Sequence, residues 1–203
     1  MDAQQVAALR ALLAPTGWVE RAAAFARVLR RSPRTPGGLL VVGSPGHEPW
    51  HLAAHLDEAS RFSGVPELAP TLVRWAPPPG APPHLSVGLA RLERARRGES
   101  LLVVTPEAAP DPLLERVHDA RRGGATVLSL DGGDPHLAEL AHEALVVEPQ
   151  TAPLTFDVAE HLVSAAAGDQ PQREARDGGL RARLARLLDA VSGPAPAGRG
   201  RPA

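Results

Sequence analysis

Several residue types are absent or scarce in this chain of 203 residues, and each absence excludes a class of site. There is no cysteine, which excludes disulfides, thiolate metal sites and a cysteine nucleophile and fits a reducing compartment. There is no lysine, which excludes a phosphate-binding loop of the Gly-Lys-Ser type. Because the chain has three Phe, three Trp and no Tyr, its core has to be built from Leu, Val and Ala.

Charge and hydropathy narrow the range of partners. The net charge of −1 argues against general nucleic-acid binding, which needs a strongly basic face. No apolar run approaches the roughly 20 residues that span a bilayer, so no membrane partner is expected. The first residues lack the basic stretch that opens a signal peptide, and a cytoplasmic location is expected. The Gly-rich dinucleotide fingerprint is also absent, and no cofactor is expected.

Short apolar runs and amphipathic segments follow one another along the chain. The runs predict strands, covered on both faces, over 39–42, 72–73, 101–104, 125–130 and 145–147. Helical spacing predicts an N-terminal helical segment over 6–13 and 25–29, then helices over 50–62, 85–97, 112–122, 136–142 and 156–167. This order predicts an α/β fold with a three-layer αβα architecture, a doubly wound parallel sheet of about five strands.

A change in composition after Gly168 divides the chain into two parts. Residues 1–168 are expected to form one α/β domain that includes the N-terminal helices. Residues 169–203 are expected to be a polar linker, an amphipathic helix over 180–191 and a disordered tail. We expect the fold not to need this second part, and its helix to dock on the body or on a partner.

Segments of the body follow one another in an order typical of one known family. The strand "ATVLSL" lies between a helix ending in "ARRGG" and the segment "AELAHEALVVEP", and "TFDVAEHLVSAAAG" closes the domain. "LLVVGSPG" and "LLVVTPEAAPD" lie where that family has two phosphosugar loops. The order resembles sugar isomerase (SIS) domains, in particular those similar to phosphoheptose isomerase. The resemblance implies a parallel α/β fold, a small sugar-derived ligand and a homodimer or higher homo-oligomer.

Both loops depart from the pattern of active family members. Pro45 removes a backbone N–H from a first loop that would otherwise hold a phosphate at a helix N-terminus, and Glu48 adds a negative charge. The second loop has one hydroxyl, two acids and two prolines. The acids are expected to repel a phosphate dianion. The resemblance implies ligand-binding residues at Gly43, Ser44, Gly46, His47, Glu48, Thr105 and Glu107.

The closing helix supplies candidates for catalysis. Isomerisation of an aldose to a ketose needs a general base that moves a proton between adjacent carbons. Glu160 and His161 can serve if either faces the crevice. The alternative is that both are polar groups on the exposed side of the helix or at a dimer seam.

A second motif, His47-Glu48-Pro49-Trp50-His51, matches the H-E-x-x-H pattern of zinc hydrolases, and His55 extends it by one turn. A proline such as Pro49 is tolerated in a helix only near its first position. His47 therefore precedes the helix or lies at its start, and the motif does not require His47 and His51 to share one helical face. The alternatives are a ligand-pocket histidine or an ordinary helix start, and no metal site is expected. Residues 131–135 are interpreted as a tight turn before a helix whose first residue is Pro135.

Three functional classes therefore remain open. The first is a non-catalytic SIS-like module that binds a small carbohydrate derivative or acts through contacts with a partner or a second copy. The second is a phosphosugar isomerase that uses Glu160 or His161. The third is a metal-dependent hydrolase that uses His47, Glu48 and His51.

Overall fold

The structure is a computed structural model, and it describes residues 13–149, 152 and 154–168. Five strands form one parallel sheet in the order β2-β1-β3-β4-β5. Their bounds are β1 Leu39–Gly43, β2 Pro70–Val73, β3 Ser100–Thr105, β4 Thr126–Asp131 and β5 Glu143–Val146. Within the described residues the α-helices are α1 Trp18–Arg31, α2 Trp50–Ser63, α3 Asp111–Arg122, α4 Pro135–Leu140 and α5 Phe156–Gly168.

The central strands are buried on both faces, which explains their unbroken apolar sequences. Successive side chains of β1 point to opposite sides of the sheet, so Leu39 and Val41 join one core while Leu40 and Val42 join the other. The first core is covered by α1, α2 and α5, and the second by α3 and α4. The predicted three-layer αβα sheet of five parallel strands is therefore confirmed.

One predicted helix, over 85–97, is wrong. In its place the structure has two short 3-10 helices, Pro83–Leu85 and Leu89–Arg94. Gly88 between them is extended, with φ −96° and ψ 177°, and this interrupts any continuous helix. The predicted helix over 6–13, except for residue 13, and the whole of 169–203 lie outside the described residues.

The predicted turn over 131–135 is confirmed. The side chain of Asp134 accepts hydrogen bonds from the backbone N–H groups of His136 and Leu137, which caps α4 directly before Pro135. The second oxygen of the same carboxylate accepts from Ala109 N at 2.6 Å, and so ties this turn to the loop after β3. No helix among the described residues is both long and apolar enough to cross a bilayer.

The order of the strands places a crevice between β1 and β3. The chain leaves β1 toward α2 on the first face and leaves β3 toward α3 on the second face. Where neighbouring parallel strands send their connections to opposite faces, their carboxyl ends open into the crevice that holds ligands in such folds. The loops after Gly43 and Thr105 therefore meet at this edge.

Candidate functional site

The first loop folds back tightly over the end of β1. The backbone N–H of His47 donates to the carbonyl of Ser44 at 3.2 Å, and the indole of Trp75 donates to the carbonyl of Gly43 at 2.7 Å. A Cβ on Gly43 would lie 1.9 Å from the carbonyl oxygen of His47 and 2.6 Å from Cδ of Pro49. Only glycine fits at this point, and the close approach sets the position of His47 above the sheet.

His47 and Glu160 form the central polar contact of the crevice. His47 Nε2 donates to Glu160 Oε1 at 2.7 Å, which joins the first loop to α5 across 113 positions of sequence. The side chain of Glu160 is 5% exposed and that of His47 is 24% exposed. Phe156 stands edge-on to the imidazole, with ring centroids 5.4 Å apart. The pair is thus held from both sides while one part of the imidazole stays open to solvent.

The hydrogen bond to Glu160 raises the pKa of His47 above its usual value, against the opposing effect of burial. The negative charges of Asp157 and Glu107 raise the same pKa further. A histidine so placed is charged over a wider pH range than a free one. It can donate a hydrogen bond to a ligand oxygen, and together with Glu160 it can accept and return a proton.

Glu48 does not present an unpaired charge to the crevice, in contrast to the expectation from the sequence. Its carboxylate binds the guanidinium of Arg74 in a bidentate arrangement, with Nε to Oε1 at 2.5 Å and Nη2 to Oε2 at 2.8 Å. Arg74 directly follows β2, the strand next to β1. The negative charge that the sequence places in the first loop is therefore largely offset.

The two hydroxyls expected to hold a ligand are both buried. Ser44 is 4% exposed, and its Oγ has no hydrogen-bond partner among the described residues. Thr105 is fully buried, and its Oγ1 donates to the carbonyl of Glu107 at 2.8 Å. Glu107 and Gly46 lie at the surface. In the two phosphosugar loops, the side chains of His47 and Glu107 thus remain accessible to solvent, whereas the two hydroxyls do not.

His161 is not part of the His47–Glu160 pair, although it directly follows Glu160 in the sequence. Its Nδ1 donates to the carbonyl of Asp157 at 2.7 Å, and its ring packs 5.0 Å from that of His55 and 6.5 Å from that of His51. Burial lowers the pKa of His55, and His161 lowers it further. The structure thus separates the two catalytic candidates and brings only Glu160 to His47.

The H-E-x-x-H residues also point to different partners. His47 binds Glu160, Glu48 binds Arg74, and the ring of His51 stacks on Trp50 with centroids 3.8 Å apart. Across the described part of the chain, no three His, Asp or Glu side chains are grouped to hold a metal ion. The metal-dependent hydrolase has no support from this geometry.

An apolar cleft of about 470 Å³ is lined in part by Phe156, the residue that contacts the imidazole of His47. We call it the apolar cleft, and its lining is Pro106, Val147, Pro149, Ala152, Leu154, Thr155 and Phe156. A second cavity, of about 520 Å³, lies between α3 and α4 and is lined mostly by charged and histidine side chains.

Sequence reasoning named both members of the His47–Glu160 pair but did not join them. Phe156 and Arg74 were missed. The signal for Arg74 was its place after a predicted strand, because the carboxyl ends of parallel strands share one edge. No sequence signal pointed to the contact between Phe156 and His47, which depends on how α5 packs.

A methyl group at Gly43 tests the tight loop. We expect Gly43→Ala to lower the free energy of unfolding by about 3 kcal/mol or more, because the added carbon overlaps backbone atoms of His47. Urea denaturation measures the change. Gly46→Ala is the matched control, since nothing lies within 4 Å of a Cβ there. Equal effects of the two substitutions would contradict the described loop.

The His47–Glu160 contact predicts how stability depends on pH. Because the pKa of His47 is raised on folding, its stabilisation is fully present below the ordinary histidine pKa of about 6.5 and is lost as pH rises through the folded-state value. Unfolding free energies of the wild type and His47→Gln, measured between about pH 5.5 and 8.5, should therefore converge as pH rises. The contribution of His55 cancels in this difference. A gap that widens with pH would refute the assignment.

No protein-family model matches the chain, and no curated protein matches it. Among solved structures, a Silicibacter pomeroyi protein described as a candidate phosphosugar isomerase matches 92% of the chain, with a TM-score of 0.55 and 18% identity. The Vibrio vulnificus NanR protein complexed with ManNAc-6P matches 83% of the chain, with a TM-score of 0.48 and 14% identity. A candidate sugar-binding protein from Salmonella typhimurium matches 89%, with a TM-score of 0.49 and 17% identity.

The chain spans 53%, 60% and 56% of the length of these three proteins, respectively. At 18% identity, the match to the Silicibacter pomeroyi protein bears on the fold alone. The five-stranded parallel sheet, with its helices on both faces, agrees with the match to the Silicibacter pomeroyi protein. The chain therefore has an SIS-like fold.

Proposed function

We propose that the chain binds a small carbohydrate derivative that carries no phosphate, in the crevice beside β1 and β3, and does not convert it. The burial of the two loop hydroxyls carries this proposal. A phosphate cradle needs hydroxyl and N–H donors that face the ligand. Here the hydroxyls of Ser44 and Thr105 face the interior, and Pro45 removes one of the N–H donors.

The charges of the crevice support a neutral ligand. The charge on protonated His47 is balanced by Glu160, and that of Glu48 by Arg74. Glu107 and Asp157 both act on His47 electrostatically, and neither has a cation at salt-bridge distance within the described ranges. Both carboxylates are exposed, so solvent screens them in part, but together they still disfavour a second negative charge nearby.

The same groups suit sugar hydroxyls. Carboxylates accept hydrogen bonds from hydroxyls, and a protonated imidazole donates to a hydroxyl oxygen. His47 is held in place by Glu160 and Phe156 before any ligand arrives, so little ordering is needed on binding. The pair therefore offers a fixed polar contact for an uncharged sugar.

The test compares hexoses, hexosamines and N-acetylhexosamines with their 6-phosphates. For any sugar that binds, we expect the form without phosphate to bind at least about tenfold tighter than the 6-phosphate, because the crevice repels a dianion and offers it few hydrogen-bond donors. Thermal shift screens the panel and calorimetry measures the affinities, since a ligand that binds only the folded state raises the melting temperature.

Two variants locate the binding. His47→Gln should weaken the neutral ligand about tenfold, because it removes the charged donor of the crevice. His118→Gln, an exposed histidine of α3, is the matched control and should change nothing. A 6-phosphate that binds more tightly than its parent sugar at about pH 8 would overturn the proposal.

The hydrogen bond between His47 and Glu160 favours a second candidate, an aldose–ketose isomerase. In that reaction Glu160 removes the proton from the carbon next to the carbonyl and returns it to the former carbonyl carbon. Protonated His47 donates a hydrogen bond to the oxyanion of the enediolate formed in between, and the hydroxyl proton passes from one oxygen to the other. The burial of Glu160 and its contact with a histidine of raised pKa suit such a pair. This candidate uses Glu160 and not His161.

Proton exchange separates the two functions. The first proposal predicts that sugars and their 6-phosphates incubated with the protein in heavy water gain no deuterium at the carbon next to the carbonyl, as followed by NMR. Incorporation that Glu160→Gln abolishes and His161→Gln retains would establish the isomerase instead. A homodimer and a cytoplasmic location stay predictions.

A further inference from the structure

The apolar cleft has a lining unlike that of the polar crevice beside it. Six of the seven lining residues that the structure describes are apolar, and none of these seven carries a charge. The exception is Thr155, whose Oγ1 accepts a hydrogen bond from the backbone N–H of Val158 at 3.4 Å. The cavity between α3 and α4 has the opposite character, because four carboxylates line it. An apolar group of about the same size is therefore better accommodated in the apolar cleft.

The apolar cleft and the polar pair share one wall. Phe156, the first residue of α5, lines the apolar cleft and also stands edge-on to the imidazole of His47. Pro106 directly follows β3, and Val147 directly follows β5. The apolar cleft thus lies at the carboxyl edge of the sheet, where His47 and Glu160 are also found.

On the basis of the proposed function, we propose that the apolar cleft takes a short apolar substituent of the ligand, an acyl or aryl group attached to the sugar. His47 and Glu160 then bind the sugar hydroxyls in the adjoining crevice, which shares Phe156 with the apolar cleft. The volume of about 470 Å³ is ample, since about 150 Å³ holds a benzene-sized group. An apolar pocket with a few convergent polar groups is the usual form of a small-molecule site.

The decisive experiment pairs each sugar with and without an apolar group. Methyl and phenyl β-glycosides of glucose, galactose and mannose are compared by ligand-observed NMR, and benzyl alcohol is added as a probe of the cleft alone. We expect the phenyl glycoside to bind about tenfold tighter than the methyl glycoside of the same sugar. Benzyl alcohol should bind the wild type and His47→Gln equally.

Two pairs of variants assign the effect to the cleft. Ala152→Leu fills it and should remove the preference for the phenyl group, whereas Ala54→Leu, at an exposed position of α2, should keep it. Phe156→Ala removes the shared wall and should weaken benzyl alcohol, whereas Phe62→Ala should not, because Phe62 is 70% exposed. The second pair decides the matter if Ala152→Leu does not fold.

The outcomes separate this inference from the proposed function. Glycosides that bind through His47 with equal affinity for the methyl and phenyl forms would overturn the apolar site and leave the proposed function standing. If Ala152→Leu weakens the binding of benzyl alcohol but no glycoside depends on His47, the apolar site stands and the proposed function is overturned. If the affinity for benzyl alcohol falls as the protein concentration rises, a second copy of the chain occupies the cleft, and the inference is overturned.

Discussion

The hydrogen bond between His47 and Glu160 joins the loop after β1 to the closing helix α5 at the carboxyl edge of the sheet. His47 is fixed by the turn that follows β1, and Glu160 by α5, which packs on the same face of the sheet as α1 and α2. Because Glu160 is buried, its carboxylate needs a donor, and the imidazole supplies one. The raised pKa of His47 follows from this contact, and Phe156 packs edge-on against the same imidazole.

The backbone around β1 makes that contact feasible. The carbonyl of His47 comes so close to Gly43 that no side chain fits, and the indole of Trp75 satisfies the Gly43 carbonyl. The tight return turns Ser44 inward and leaves His47 as the side chain that faces the crevice. A loop that resembles a phosphate cradle in its position is thereby built for another kind of contact.

Phe156 borders two regions of different character. The crevice contains a histidine and several carboxylates, whereas the apolar cleft is lined by apolar side chains from the loops after β3 and β5. The proposed ligand, a sugar with an apolar substituent, would place its polar ring against the crevice and its substituent against the cleft. The SIS-like fold supplies the crevice, and the side chains around it set the contacts that the site can offer.

The sequence by itself determined the fold class and the positions of most elements, since unbroken apolar runs and helical spacing report burial directly. It failed at residues 85–97, where Gly88 and its extended backbone end a helix that the spacing favoured. It also named most of the site residues, because these follow strands whose carboxyl ends share an edge. Only the tertiary structure decided their partners: Glu48 with Arg74, His47 with Glu160, and His161 with His55. Pairing depends on side-chain direction and on how the helices pack, and residues 113 positions apart leave no periodic trace of their contact.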